Sequence, residues 1–311
     1  MIRSERSKLR DWLLTRIPVQ WNKKVLRVEQ DDAAARVFFD DGSVATGDLI
    51  IGADGASSQV RESLLQTSNN KLLNTVPLSA IVGEVTLSGD AFKRQLSLGH
   101  SAYNLINPEL GFIGFVGLHH TMPEGTSGRF YWMFMQPDED ITKPDHWLQV
   151  ASQQEKLDHV LKTVAPLASE LREIFELTPT EGVRQDLHVW KDFELANIPA
   201  SRIILVGDSA HAMTPSGGVG AFHTMIDAIK LTNTLVSLSK QDKSLDIAAV
   251  KREVAEYNGE MLKRGSAAVR TSRASYEEAK RRAETKEHFI DGLRPLPVVQ
   301  AKDIVLEAKV V

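Results

Sequence analysis

Residues Arg202 to Leu231 read RIILVGDSAHAMTPSGGVGAFHTMIDAIKL, and this stretch decides the fold class. The β-branched run Ile203 to Val206 predicts a buried strand, and Gly207-Asp208 falls at its carboxyl end, where open α/β sheets bind their ligands. An aspartate there can accept hydrogen bonds from ribose hydroxyls. Pro215 shapes the following turn, and Gly217, Gly218 and Gly220 permit close backbone approach to a flat or phosphorylated ligand. A helix is predicted from about Gly220 to Leu238, so its free N–H groups and positive dipole end can face negative charge. A bare strand, loop and helix with no ligand is the plainer reading of the same pattern.

Working outward, Asp48 to Arg61 (DLIIGADGASSQVR) is a second strand-turn-helix: an apolar run closed by Asp54-Gly55, with Ser57 or Ser58 as helix cap and helix through Leu65. A plain hairpin is the alternative, as expected at Asp41-Gly42, which follows the strand-like runs Val25 to Gln30 and Ala35 to Phe39. Arg6 to Leu14 has apolar residues at helical spacing before Pro18. From Ser68 to Pro144 the texture changes. Runs at Ile81 to Leu87, Gln95 to Leu98, Ala102 to Ile106, Phe112 to Leu118 and Arg129 to Gln136 alternate with turn residues and predict a meandering sheet. Trp147 to Phe175 reads as one or two amphipathic helices broken at Pro166, and the chain beyond Ala248 as charged helix until Pro295 and Pro297. One domain therefore interrupts another.

Composition narrows the chemistry. The 311 residues carry a net charge of -4, which argues against a nucleic-acid surface, and 42% hydrophobic residues furnish a core. There is no cysteine, so disulfides, iron–sulfur clusters and haem-thiolate chemistry are excluded. None of the nine histidines begins an H-x-D or H-x-E pair, and no metal site is expected. No segment has the roughly 18 uninterrupted apolar residues of a membrane span. A small-molecule partner and a cytoplasmic location are the expectations.

The two glycine-aspartate motifs together resemble the flavin-dependent monooxygenases of the aromatic-hydroxylase (para-hydroxybenzoate hydroxylase-like) type. That family's second FAD fingerprint runs approximately GDAAH, a proline, GxGAN and a helical DA. Here Gly207, Asp208, Ala210, His211, Pro215, Gly218, Gly220, Ala221, Asp227 and Ala228 match it. Gly52, Ala53, Asp54, Gly55, Ser58, Val60 and Arg61 match the family's GADG and S-x-V-R, where FAD and the nicotinamide donor are handled. Arg6 matches an arginine that reaches the cofactor from a helix. Phe222-His223 departs from the pattern, which has Asn and its neighbour at this place, so the usual side chain beside the flavin edge is absent.

The resemblance implies an α/β fold with an α+β insert: an incomplete FAD-binding nucleotide fold interrupted by a mixed-sheet substrate domain, with a helical C-terminal tail. The divisions are 1–67 and 186–240 for FAD, 68–185 for substrate and 241–311 for the tail. It implies FAD as cofactor and NAD(P)H as co-substrate, with hydroxylation or epoxidation of an aromatic or electron-rich small molecule, in keeping with secondary metabolism. Arg6, Asp54, Asp208, Pro215, Gly218, Gly220 and Ala221 are the implied cofactor residues. Tyr103 and Tyr131 are the candidates to line the substrate pocket, each equally a core or rim residue. His211 is expected to hold its turn through hydrogen bonds, and Trp190 to be structural.

The sequence contains no GxGxxG, the family's pyrophosphate-binding turn. Exposed strand edges and apolar faces are expected where that unit packs, with a partner or a missing N-terminal segment needed to complete the FAD site. The rival readings are a catalytically incompetent, partner-dependent remnant, and a related flavin dehydrogenase or halogenase.

Overall fold

The computed structural model describes residues 5–107, 109–215, 218–240 and 246–285. Helix α1 (Arg6–Leu13) comes first and buries none of its side chains. Strands β1 (Val25–Gln30), β2 (Ala35–Phe39) and β3 (Val44–Gly47) form an antiparallel meander. Its second turn is the expected hairpin: Gly42 takes φ 81°, and Asp41 accepts from the Ser43 backbone at 2.9 Å. The Asp54-Gly55 turn makes no hairpin. It joins β4 (Ile50–Gly52) to helix α2 (Gln59–Leu65), which Ser58 caps by accepting from Arg61 N at 2.8 Å.

After helix α3 (Asn69–Leu72) and strand β5 (Asn74–Thr75), the chain enters the inserted unit. Strand β6 (Leu78–Ser88), helix α4 (Gly89–Leu98) and strands β7 (Ala102–Asn107), β8 (Phe112–Thr121) and β9 (Ser127–Pro137) build a sheet of order β6-β9-β8-β7. Expected as mixed, this sheet is antiparallel at every pairing, because β7, β8 and β9 follow one another through hairpins and β6 joins the far side of β9. The expected strand Gln95 to Leu98 is the last turn of α4 instead. Leu96 and Leu98 alternate like strand residues, but Phe92 and Leu96 stand four apart and Phe92 and Gln95 three apart, which places them on one helical face.

Helices α5 (Trp147–Val150), α6 (Gln153–Val164) and α7 (Ser169–Glu176) follow, with the expected break around Pro166 and a Ser152/Glu155 capping box starting α6. Together α4, α6 and α7 cover one face of the sheet, where Tyr103, Phe112, Val116, Phe130, Trp132 and Phe134 form the first core. At its centre the indole of Trp132 lies across Gly83, its partner on β6, and donates to Thr178 Oγ1 at 2.8 Å. A Cβ on Gly83 would meet Trp132 Cζ2 at 2.2 Å. Gly83→Ala is therefore expected to cost about 1–3 kcal/mol by overpacking, read from urea unfolding; a variant as stable as the parent would show that the indole has room to move.

Among the described residues the opposite face is covered only at one end, where Leu78, Ala80 and Met135 pack with Trp190, which is thus structural as expected. Farther along this face Phe115 and Tyr131 stay half-buried, while Ile106, in the row of Ala80 and Met135 but on the outer strand β7, is exposed.

Strand β10 (Lys191–Asp192) pairs with β5 and returns the chain to the first unit. Strand β11 (Ile203–Leu205) then lies parallel to β4, with Ile203 opposite Ile50 and Leu205 opposite Gly52. Helices α8 (Asp208–His211), α9 (Gly220–Ser239) and α10 (Ile247–Thr285) complete it. A second core joins β11, α9 and α10 through Ile204, Leu205, Leu231, Val250, Val254 and Met261. Pro295 and Pro297, the expected end of the last helix, lie outside the described residues. Among the described residues no helix is long and apolar enough to cross a membrane.

Candidate functional site

The parallel register of β4 and β11 brings together two motifs separated by about 150 residues of sequence. Both strands end at a glycine-aspartate turn on the same side of the sheet, so Asp54 and Asp208 mark one rim. Ser209 sews the two turns together. Its hydroxyl donates to Gly52 O at 2.6 Å, and its carbonyl accepts from Arg61 Nη1 at 3.0 Å.

The residues differ in how they serve this rim. Asp208 opens α8 and is exposed at the carboxyl end of β11. Asp54 spends both carboxylate oxygens locally: Oδ1 accepts from Ser58 Oγ at 2.5 Å, and Oδ2 from the backbone of Gln59 at 2.8 Å and Val60 at 3.1 Å. Its work in this structure is to fasten the turn onto the start of α2. Arg61 is wholly buried and donates to Ala56 O at 2.6 Å, while Asn69 also accepts from it and the Phe193 ring lies 4.2 Å beneath. Burial pulls this guanidinium down to about 10, with Asp54 and Glu62 opposing.

On the other side of the rim, Pro215 O accepts from Gly218 N at 2.9 Å and closes the turn before α9. Gly218 has φ 62°, and an added Cβ would meet no described atom within 4 Å; at Gly220 the nearest atom is 3.8 Å away. The cradle is open. Among the described residues no side chain caps α9, and Ala221 is exposed, so the first-turn N–H groups face outward with the positive end of a helix of 20 residues behind them.

Behind the cradle sits a buried network that the motif residues mark only in part. Asp227, fully buried, accepts from Gly207 N at 2.8 Å, lies 2.7 Å from His211 Nε2 and takes Arg264 Nη2 at 2.6 Å. His211 thus holds its turn through hydrogen bonds, as expected. Arg264, on α10, is the member that sequence reasoning misses, since nothing local marks it. Burial and the Arg264 guanidinium, 3.1 Å from its Nδ1, hold His223 below the usual histidine range, so its imidazole is a neutral acceptor. Gly207 has φ 63°, and a Cβ there would lie 2.8 Å from Thr224, so glycine is required.

The profile of the FAD binding domain matches residues 9–272. The chain is 47% identical over 98% of its length to the FAD-dependent monooxygenase thnD of Trichoderma harzianum, of which it covers 74%. It belongs to the FAD-dependent monooxygenases. Salicylate hydroxylase of Pseudomonas putida is 29% identical over 72% of this chain and 52% of its own. HpxO of Klebsiella pneumoniae, solved with FAD and uric acid, shares the fold at a TM-score of 0.68 and 23% identity, over 89% of this chain and 64% of that one. The monooxygenase described here thus spans between half and three quarters of these relatives' lengths.

The rim fits FAD on its own geometry. An exposed aspartate, an uncapped helix start and a glycine cradle without Cβ obstruction are what a ribityl chain and an electron-rich ring edge call for. Other expectations sort differently. Arg6 opens α1 with its side chain exposed. Tyr103, expected at a substrate pocket, is a core residue: it is buried on the helix-covered face and its hydroxyl donates to Gln95 Oε1 at 2.5 Å. Strand alternation places it on the face opposite Tyr131. Tyr131 sits on the open face, with ring centroids 5.6 Å from Phe115 and 6.5 Å from His119.

Proposed function

We propose that this monooxygenase uses NAD(P)H and dioxygen, through FAD, to hydroxylate or epoxidise an aromatic or otherwise electron-rich small molecule, in secondary metabolism and in the cytoplasm. The observation that carries the reading is the in-register pairing of β4 with β11, which aims both motif ends and the start of α9 at one cradle. FAD, when bound, supplies the redox chemistry that accepts reducing equivalents and activates dioxygen. The chain supplies position. Asp208 accepts from a cofactor hydroxyl, the α9 N–H groups and Gly218 to Ala221 receive the ring edge, Pro215 sets the turn, and Asp54 acts by fixing the neighbouring loop. Arg6 offers a guanidinium to phosphate or ribose oxygens. The open sheet face with Tyr131 and Phe115 excludes water from the substrate, within a division at 1–67, 68–185, 186–240 and 241–311.

One surface favours completion of this site by a further unit. Phe222, Met225 and Ile229 stand at helical spacing on α9, at 60%, 53% and 62% exposure, and Ile51 on β4 is exposed as well. An apolar stripe beside a two-stranded parallel sheet is the surface on which a strand-and-helix unit packs. Such a unit, from a further segment or a partner, would hold the pyrophosphate.

Titration of the purified chain with FAD, followed by flavin fluorescence, tests the reading. Quenching is expected, and Asp208→Ala should weaken affinity about tenfold, the effect of one hydrogen bond to a charged group. Unchanged affinity would remove Asp208 from the site, and absence of any quenching would reject a FAD site built by this chain alone.

A further inference from the structure

Away from the cradle, three metal-ligating side chains from distant parts of the chain meet at the edge of the inserted sheet. Glu5 at the start of α1 and His119 and His120 on β8 place one ligand atom each within 4.8 Å of one another. Neighbours on a regular strand point to opposite faces. Here the register of β8 against β9 shifts between Leu118 and His120, and both imidazoles turn to the same side, with their Nδ1 atoms 2.7 Å apart. All three residues are half-buried.

We propose that Glu5, His119 and His120 bind a divalent transition cation of the zinc class, which clasps the start of α1 to β8 beside the open sheet face. Two imidazole nitrogens and one carboxylate oxygen are donors that zinc, nickel and copper accept and that magnesium and calcium disfavour. The spacing suits this use. Tetrahedral ligands at about 2.1 Å from zinc stand roughly 3.4 Å apart, between the separation of the two imidazoles and the outer limit of the group. Turning the two rings slightly apart opens the site, and a water completes the fourth position.

Charge points the same way. The carboxylate brings a negative charge to the trio and imidazoles bind metals through neutral nitrogens, so a dication compensates it. Lys8, 2.9 Å from Glu5, now serves as its counter-ion; with 73% of its side chain exposed it can move into solvent when a metal arrives. Helix α1 buries no side chain, so a metal would anchor an element that packing leaves loose. Because α1 also carries Arg6, and His119 stands against Tyr131, the clasp would fix the helix at the mouth of the open face.

The experiment is calorimetric titration of the full chain, free of any histidine tag, with zinc chloride. One zinc per chain is expected, with no heat from magnesium. His119→Ala and His120→Ala should each weaken binding by at least about tenfold, since even partners one shell further from a metal have that effect. Zinc should also shift the emission of Trp12 on α1 in the parent chain and leave it unmoved in the double histidine variant. Should the histidine variants lose their circular dichroism, Glu5→Gln carries the test, because glutamine keeps the size of the side chain at this half-buried helix start. Absence of stoichiometric binding, binding that survives the double variant, or unchanged affinity in Glu5→Gln overturns the proposal.

Discussion

Replacing Asp227 by alanine is expected to lower the unfolding free energy by about 3–5 kcal/mol, the usual effect of removing one partner from a buried ion pair. The carboxylate is fully buried and serves a strand end, a short helix and α10 at once, through Gly207 N, His211 and Arg264. Without it the Arg264 guanidinium keeps Glu260 at 3.0 Å, but His211 and the Gly207 amide keep no acceptor in that position. Asp227→Asn preserves shape and should cost less, since only the charge and one acceptor position are lost. The network also sets an acid limit. Burial raises the Asp227 carboxyl, but hydrogen bonds from His211 and Arg264 outweigh it and hold the group below the usual range. A carboxyl depressed on folding contributes stability that is complete above the unfolded value, about 3.9, and is lost as pH falls through the folded one. Urea unfolding at neutral pH and through the acid range should therefore show a shallower acid decline in Asp227→Asn than in the parent. An alanine variant within about 1 kcal/mol of the parent would mean that water replaces the carboxylate at little cost.

Much of this site is legible in the sequence because its parts are local. Gly207 and Gly218 adopt positive φ, and their place between strand, turn and helix is where a chain needs that freedom. What is not legible is long-range. No local signal says that Ile50 to Gly52 and Ile203 to Leu205 pair in register, or that Arg264 closes on Asp227 from α10. Tyr103 and Tyr131 show the limit of strand alternation. Period two separates the faces, but which face the helices cover depends on where α4, α6 and α7 fold back. His119 and His120 escape for a related reason. Adjacent strand residues should diverge, and one register shift on β8 reverses that rule. The exposed apolar faces expected from the absent GxGxxG do appear, on α9 and β4.

Arg61→Ala is the other substitution expected to exceed about 3 kcal/mol, and it bears on how such motifs are read. In the family pattern this arginine belongs to a segment that handles FAD and the nicotinamide donor, so the motif alone suggests that it faces a ligand. The structure turns it inward. Its guanidinium ties Ala56 O in the Asp54 turn, Ser209 O in the Asp208 turn and the Asn69 side chain, with the Phe193 ring beneath. Alanine would orphan two carbonyls and one amide oxygen and leave a cavity under the strand ends. Lysine keeps the charge but cannot fork to three acceptors, so Arg61→Lys should recover only part of the loss. The two readings part on order of events. If Arg61 is a strut between the turns, urea unfolding of the FAD-free chain already shows the full defect, and FAD affinity falls only because the cradle shifts. If it is a ligand contact, the FAD-free chain is as stable as the parent and only affinity suffers. The buried side chain, with both terminal nitrogens bonded to the turns and Asn69, predicts the first result; the second would require the turns to open and expose Arg61 when FAD binds.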